Sequence, residues 1–185
     1  VLPRGFRHRK LNDSKQLSES LREEIYAELT TASNIVWAVG ISSVEVIEQY
    51  NILRATERAM YLAVAGLAVQ PDHVLVDGGV CRAIRTPQTA LVGGDSRSYS
   101  IAAASVIAKV TRDRMMVELD KKYPQYGFAS HKGYATRQHL AAIATYGPCP
   151  AHRRTFAPIR NVLEGVQMDL FAAQPGTVGT GAVEG

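Results

Sequence analysis

The chain has 185 residues, 46% of them hydrophobic and 21% charged, and this composition excludes a protein that is disordered throughout. The net charge of +4 favours anionic partners such as nucleic acid only weakly, because many enzymes with neutral substrates share it. Cys81 and Cys149 form no CxxC pair and no apolar run reaches the ~18–20 residues of a membrane span, so we expect no zinc site, no membrane partner and a reducing cytoplasm.

The first third of the chain has the patterns of a helix, a strand and a second helix. Ser20 and Glu23 have the spacing of a capping box, and apolar residues at helical spacing follow, which predicts a helix over 18–31. The β-branched and aromatic run 35–41 predicts a strand. Two serines then precede a short predicted helix over 44–48.

The rest of the chain alternates helical patterns with short apolar runs. Two buried strands are predicted there, and each is followed by glycines. In chain order the predicted elements are a helix over 52–69 closed by Pro71, strands over 73–77 and 90–92, and helices over 98–122, over 137–146 and from about Pro158. Strands alternating with helices indicate an α/β fold.

Two aspartates follow the two buried strands. Asp77 ends the first strand, and Asp95 comes shortly after the second. Ligands of α/β sheets bind at the carboxyl ends of the strands, and carboxylates gathered there attract hard cations such as Mg²⁺. The alternative is that each acid merely starts a turn, since Asp-Gly and Gly-Asp are common turn pairs. The spacing alone leaves both interpretations open.

Seven short motifs in a fixed order favour the first interpretation. They are LNDSKQL (11–17), VLVDG (74–78), GDSRS (94–98), IAAASVIAKVTRDR (101–114), YGF (126–128), HKGY (131–134) and HRRTF (152–156). One such motif would be weak, but seven in order leave little room for chance. The series closely resembles ribonuclease HII over residues 1–160.

The resemblance implies an RNase H-like mixed sheet flanked by helices, and hydrolysis with two divalent metals, Mn²⁺ or Mg²⁺. One metal would activate a water for in-line attack, and the other would stabilise the leaving 3′ oxygen. The family uses four carboxylates, of which Asp77 and Asp95 match the third and fourth as catalytic metal ligands. Asp113 is the competing acid, and we expect it to pair with Arg112 or Arg114 or to be otherwise structural.

The sequence departs from the family pattern near its start. The first two carboxylates and a glycine-arginine-glycine loop belong to an Asp-Glu-Ala-Gly-Arg-Gly segment, and nothing here matches it. Residues 1–5 resemble the end of the second strand, so the first strand and most of the second are expected to be absent. Gly93 also stands where the family has a lysine. The chain by itself is therefore expected to be inactive and unstable.

Tyr134 is the residue that we expect to recognise the substrate. The family places this tyrosine against the ribonucleotide sugar, where a ring and a hydroxyl group can sense a 2′-OH; the alternative is a surface tyrosine. Gly133 would let the backbone bend, and His131 and His152 would order the loops. The expected phosphate contacts, each of which could instead be an ordinary solvated or structural side chain, are Lys15, Ser14, Ser96, Lys132, Arg153 and Arg154.

The leading interpretation is an endonuclease that hydrolyses the RNA strand of RNA-DNA hybrids and cuts 5′ of ribonucleotides embedded in DNA. It would leave 3′-hydroxyl and 5′-phosphate ends and act as a monomer in cytoplasmic DNA replication and repair. The second interpretation is a catalytically incomplete nucleic-acid-binding fragment, because two of the four expected metal ligands are found. A third is another RNase H-like nuclease such as the HIII branch, which the HKGY and HRRTF motifs disfavour.

The end of the chain has a different composition. We expect a catalytic domain over 1–164 and a flexible tail over 165–185, where the periodicity is lost. Gln167, Leu170 and Phe171 resemble the short peptide by which bacterial replication and repair proteins bind the sliding clamp. The alternative is that Leu170 and Phe171 close the domain's own core.

Overall fold

A computed structural model describes residues 1–165 of the chain. That part is helix-rich, with a small parallel sheet, and this α/β arrangement agrees with the predicted fold class. The elements are α1 Glu19–Thr31, α2 Val44–Tyr50, α3 Ile52–Ala65, β1 Val74–Asp77, β2 Gln88–Leu91, α4 Tyr99–Lys122, α5 Phe128–His131, α6 Arg137–Tyr146 and α7 Ala157–Leu163. Within residues 1–165 no helix is both long enough and apolar enough to cross a bilayer.

Helix α1 begins where a serine satisfies its first free N–H groups. The hydroxyl group of Ser18 accepts a 3.2 Å hydrogen bond from the N–H of Leu21. The capping box predicted at Ser20 is therefore wrong, since Ser20 lies inside the first turn of the helix. Ile25 and Leu29 turn the other face of α1 into the core.

The strand predicted over 35–41 is not formed. The segment has an irregular backbone, and Val36 exchanges two hydrogen bonds with Val1, of 2.7 and 3.1 Å. A strand needs a ladder of such pairs, and one reciprocal pair does not make a ladder. β-Branched composition predicts where a strand fits, but the neighbouring chain decides whether it forms.

Helix α3 is shorter than its apolar pattern. It begins after Asn51, which has a φ of 75° and whose side chain accepts from the N–H of Arg54. It ends at Ala65 rather than at residue 69, because Gly66 caps it and its N–H returns to the carbonyl of Leu62.

Two apolar clusters hold the helices together. The first joins α1 to α4 and contains Leu11, Ile25, Leu29, Ala102, Ala103, Val106, Ile107 and Val110. The small residues at 102 and 103 let α4 approach its neighbours closely. The second cluster joins α6 and α7 to the start of α5 and the turn before it, and contains Tyr126, Phe128, Ala142, Ile143 and Ile159. Long α4 contributes to both, since Leu119 packs against the second cluster.

Strands β1 and β2 are parallel, with Asp77 opposite Leu91. The crossover 78–87 that joins them contains no helix. The side chain of Gln88 organises it: the amide oxygen accepts from the N–H of Cys81, and the amide nitrogen donates to the carbonyls of Cys81 and Ile84. One partly buried amide thus closes the loop by pairing three of its backbone polar groups.

Candidate active site

The two predicted metal ligands lie at one edge of the small sheet. Asp77 is the last residue of β1, and Asp95 lies in a single 3₁₀ turn, Gly94–Ser96, between β2 and α4. The N–H of Gly94 donates a 2.9 Å hydrogen bond to a carboxylate oxygen of Asp77. Asp77 is exposed and Asp95 is partly buried. The structure therefore brings the two acids to the same edge.

Gly94 lies very close to the first turn of α4. A Cβ atom at this position would lie 2.4 Å from the Cδ1 of Ile101 and 3.3 Å from the Cβ of Leu91. The preceding Gly93 has a φ of 63°, in the left-handed region that glycine adopts without strain. The backbone that carries Asp95 is thus held tightly between β2 and the first turn of α4.

The two carboxylates suit a hard divalent cation. Mg²⁺ prefers oxygen ligands, and it is usually bound by one or two carboxylates together with waters and substrate phosphates. Within residues 1–165 no group of three or more His, Cys, Asp or Glu side chains could hold a metal. The oxygen chemistry of Asp77 and Asp95 suits two of the ligands of such a cation, and water or substrate oxygens would have to complete its shell.

Asp113 lies within α4, and its ion-pair partner is neither of the two arginines that were named. Its carboxylate pairs with Lys109 at 2.7 Å, one helical turn away in α4, and the residue is buried. The expected pairing with Arg112 or Arg114 is wrong: Arg114 pairs with Glu23 of α1, and Arg112 donates to a backbone carbonyl. Adjacent residues on a helix point in different directions, whereas residues four apart share a face.

Tyr134 combines an exposed ring with a fixed backbone. Its side chain is prominent at the surface, the residue being 66% exposed, and the Nζ of Lys109 lies 5.7 Å from the ring centroid. The N–H of Tyr134 donates to the carbonyl of His131 at 2.9 Å. Its own carbonyl accepts from the N–H of Thr136 at 2.8 Å and lies 2.9 Å from the Nδ1 of His139.

The turn before Tyr134 is left-handed at two successive residues. Lys132 has a φ of 51° and Gly133 a φ of 82°. The Nζ of Lys132 lies 3.7 Å from a carboxylate oxygen of Glu19, and its side chain is only 16% exposed. The structure therefore places this expected phosphate contact in an ion pair with α1.

The two serines expected to contact phosphate differ from each other. Ser14 is buried, and its hydroxyl group lies 2.6 Å from that of Ser105 in α4. It faces the interior, unlike the exposed donor that was expected. Ser96 is exposed beside Asp95, and its hydroxyl group donates to the carbonyl of Gly93 at 2.9 Å.

The remaining basic residues lie at or near the surface. Lys15 and Arg154 are exposed, and the N–H of Arg154 donates to a carboxylate oxygen of Glu48. Arg153 is partly buried, with its guanidinium carbon 4.7 Å from the ring centroid of Phe156. The structure therefore exposes Lys15 and Arg154 and buries Arg153 in part.

Three buried histidines lie directly beneath the Tyr134 loop. His131 and His152 were expected to order loops, and both are buried. His139 in α6 was not predicted from the sequence, and it is buried between the other two. Its ring centroid lies 4.2 Å from that of His131, and its Nε2 lies 3.0 Å from the Nε2 of His152. The signal was its helical spacing from Ala142 and Ile143, which places it on the buried face of α6.

Burial favours the neutral form of two rings in the cluster, those of His139 and His152. Burial lowers the pKa of His139 below its usual value, and the neighbouring His131 lowers it further. Burial and the neighbouring His139 lower the pKa of His152 to about 4.

Gln167, Leu170 and Phe171, the predicted clamp-binding residues, lie outside residues 1–165.

Comparison with known proteins gives a consistent family. The sequence profile described as Ribonuclease HII matches residues 4–159. A protein named Ribonuclease HII from Bacillus cytotoxicus is 52% identical over 164 residues, which cover 89% of this chain and 62% of that protein. A protein of the same name from Myxococcus xanthus is 45% identical over 187 residues, which cover 97% of this chain and 64% of that protein. The chain thus spans about three fifths of the length of these relatives.

The fold has a counterpart among solved structures. The crystal structure of the ribonuclease H2 from Pyrococcus horikoshii OT3 matches with a TM-score of 0.68 and 25% sequence identity. The match covers 85% of this chain and 82% of the solved chain. Sequence and architecture therefore lead to the same group of proteins.

Proposed function

The chain belongs to the ribonuclease HII family, and from that membership we propose that the protein hydrolyses the RNA strand of RNA-DNA hybrids and cuts 5′ of ribonucleotides embedded in DNA. The products would carry 3′-hydroxyl and 5′-phosphate ends. The observation that carries the proposal is the placement of Asp77 and Asp95 at one sheet edge, joined through Gly94. A monomer acting in cytoplasmic replication and repair is part of the same proposal.

Asp77 and Asp95 would hold divalent metal, Mn²⁺ or Mg²⁺, in a two-metal site. Bound metals of this kind activate a water and stabilise the leaving 3′ oxygen. The chain's own contribution is to orient the two carboxylates: the N–H of Gly94 fixes one oxygen of Asp77, and the packing of Gly94 against α4 fixes the turn that carries Asp95.

Tyr134 would lie against the sugar of the ribonucleotide at the cut site. Its ring is exposed while its backbone is hydrogen-bonded on both sides, as expected of a residue that contacts an external ligand at a defined position. Lys15, Ser96, Arg153 and Arg154 would contact phosphates from the accessible surface. Lys132 would first have to leave its ion pair with Glu19 before it could contact a phosphate. Ser14 would likewise have to leave its buried partner Ser105.

A duplex with one embedded ribonucleotide tests the proposed activity. Two proteins are compared, the 185-residue chain and a version extended by an Asp-Glu-Ala-Gly-Arg-Gly strand of a family member. We expect Mg²⁺- or Mn²⁺-dependent cleavage 5′ of the ribonucleotide by the extended version. Failure of the extended version to cut, although it folds and binds the duplex, would overturn the proposal.

A second candidate is a nucleic-acid-binding fragment without catalytic activity. The observation that favours it is that Asp77 and Asp95 are joined by no third metal-ligating side chain within residues 1–165. Half of a four-carboxylate site should bind Mg²⁺ poorly. Duplex binding by the 185-residue chain with no cleavage at any metal concentration would support this candidate for the chain alone.

For the end of the chain we propose binding to the sliding clamp. Leu170 and Phe171 would bury in an apolar pocket of the clamp, and Gln167 would hydrogen-bond at its edge. A tether of this kind raises the effective concentration of the enzyme on DNA without new contacts to the DNA itself.

A further inference from the structure

The backbone of Tyr134 is more tightly held than its exposed position requires. Its N–H and both lone-pair directions of its carbonyl are in use, the carbonyl by the N–H of Thr136 and by the ring of His139. The residue as a whole is nevertheless 66% exposed. Loop residues at a surface usually leave such groups to water, so the additional buried donor needs a reason.

A chain of hydrogen bonds runs from the carbonyl of Tyr134 through the rings of His139 and His152 to the backbone of Cys149. The backbone N–H of Cys149 can only donate, and this fixes which atom donates in each of the other bonds. The N–H of Cys149 donates to the Nδ1 of His152 at 3.0 Å, so His152 carries its proton on Nε2. That N–H faces the Nε2 of His139 at 3.0 Å, which must therefore accept. His139 then carries its proton on Nδ1 and donates it to the carbonyl of Tyr134 at 2.9 Å.

His131 supports the same loop from its other side. Its Nδ1 accepts from the N–H of Gly133 at 3.2 Å, and its Nε2 therefore donates to the carbonyl of Tyr126 at 2.7 Å. The ring stacks on that of His139 with an interplanar angle of 18°. All three rings satisfy both nitrogens in neutral form, and a proton added to either ring of the His139–His152 pair would place two donors face to face.

From this geometry we propose that His139 and His152 are positioning residues for Tyr134, and that they set the protein's preference for a ribonucleotide at the cut site. The proposal rests on the proposed function of Tyr134 as the residue that contacts the ribonucleotide sugar. His139 holds the Tyr134 carbonyl, and His152 sets the tautomer in which His139 can donate. An apolar side chain of similar size would fill the same space without fixing the peptide.

The first test separates the hydrogen bond from the packing. His139→Leu fills the core but removes the donor, whereas His139→Asn keeps an N–H donor close to the position of Nδ1. Tyr126→Phe is the matched control, because it removes a 2.7 Å hydrogen bond to the carbonyl of Gly147 in the same core but keeps the ring beside His152 and the carbonyl beside His131. All variants are made in the extended version that carries the added Asp-Glu-Ala-Gly-Arg-Gly strand, here called the full-length protein, and their thermal unfolding is measured.

The readout is the ratio of the duplex affinities with a ribonucleotide and with a deoxyribonucleotide at the cut site, measured in Ca²⁺. We expect His139→Leu to lower this ratio about fivefold, the effect of one lost hydrogen bond of ~1 kcal/mol. His139→Asn should retain most of the ratio, and Tyr126→Phe all of it. Equal ratios for wild type and His139→Leu, or an equal loss in Tyr126→Phe, would overturn the proposal.

Histidine-selective ¹⁵N NMR tests the positioning without any substrate. The wild-type spectrum should show the Nδ1–H tautomer for His139 and the Nε2–H tautomer for His152, and amide exchange at Thr136 should be faster in His139→Leu. The opposite tautomers, or unchanged exchange, would refute the positioning role. A wild-type protein that shows these signals but does not prefer the ribonucleotide would refute the function proposed for Tyr134 and retain the positioning.

Discussion

Gly94 donates its backbone N–H to a carboxylate oxygen of Asp77, and this 2.9 Å hydrogen bond joins the carboxyl ends of β1 and β2. It leaves three lone-pair directions of the Asp77 carboxylate for other partners. The same glycine lies against Ile101 of α4, so the position of Asp95, one residue later, depends on the packing of that helix. The acid edge is therefore set by the core as much as by the sheet.

Replacing either acid should remove cleavage and spare binding. In the proposed site, Asp77→Asn and Asp95→Asn would each remove one negatively charged metal ligand but no phosphate donor. We therefore expect cleavage to fall by at least about 100-fold, more than the usual effect of losing a residue that only supports a metal ligand. The hybrid affinity in Ca²⁺ should change less than about threefold. Cleavage rates and binding isotherms of the full-length variants give both values.

Asp113→Asn is the comparison for this pair. Asp113 faces Lys109 in the interior and not the acid edge, so we expect much of the cleavage activity to remain. A larger loss in Asp113→Asn than in Asp95→Asn would show that the fourth carboxylate has been assigned to the wrong residue.

Tyr134→Ala should weaken discrimination between RNA and DNA at the cut site. Loss of contact with the sugar and neighbouring base is expected to cost about 1–3 kcal/mol, by analogy with other aromatic side chains that stack on nucleic acid. Tyr134→Phe keeps the ring and tests the hydroxyl group separately. The measurement is the ratio of cleavage rates for ribonucleotide and deoxyribonucleotide at one position, and an unchanged ratio in Tyr134→Ala would contradict the role.

The free energy of unfolding should decrease as the pH decreases, because the folded protein holds His152 in its neutral form. Burial and the neighbouring His139 lower the pKa of His152 from 6.5 to about 4, so the unfolded chain binds this proton more readily than the folded protein. The resulting stabilisation is complete above about pH 6.5 and is lost as the pH falls toward 4, by up to roughly 3 kcal/mol.

Urea unfolding between about pH 4 and 8 measures this slope. His131, His139 and Cys149 lie around the ring, and a positive charge on either of the two other histidines strengthens the effect. His152→Asn should flatten the profile, with a residual slope from His139. Identical slopes in wild type and variant would contradict the assignment.

Breaking the Lys109–Asp113 pair should destabilise the protein more than breaking a surface pair. The two side chains are 23% and 10% exposed, so Asp113→Leu leaves a largely desolvated ammonium group and should cost about 1–3 kcal/mol. The control on the same helix is Glu118→Gln, which breaks an exposed pair with Lys121 and should cost less than about 0.5 kcal/mol. Equal midpoints in urea for the two variants would refute the difference.

The clamp proposal is tested with a peptide. Residues 166–173 should bind the purified bacterial sliding clamp with micromolar affinity, about 8 kcal/mol. Replacing Leu170 and Phe171 with alanine should abolish binding without affecting cleavage by the full-length protein. If the peptide does not bind and the double variant unfolds, the core-packing alternative is correct.

Local patterns predicted most helices and both strands of the fold. Helix α4 was predicted over 98–122 and forms over 99–122. The prediction succeeded because both the apolar pattern of this helix and the Pro124 that follows its end are local features of the sequence. The run 35–41 was predicted wrongly, since a strand depends on a partner that composition does not specify. Pairing of strands is a relation between distant residues.

The candidate site shows the same division. Asp77 and Asp95 were identified from short motifs, and the structure brings them to one edge. The inward direction of Ser14 and the stacking of His139 on His131 depend on how α4 and α6 pack, which no local pattern contains. The partner of Asp113 was a simpler error, since helical geometry alone favours the residue four positions earlier.

The crossover closed by Gln88 has a consequence for the order of folding. Parallel strands usually require a connection of a dozen or more residues through a helix, whereas here the segment 78–87 suffices. A short loop loses little chain entropy when its ends meet, because the cost of closure rises with the logarithm of its length. Asp77 and the strands that carry it therefore belong to one local unit with a low closure cost, whereas Asp95 takes its position only when Gly94 packs against Ile101 of α4.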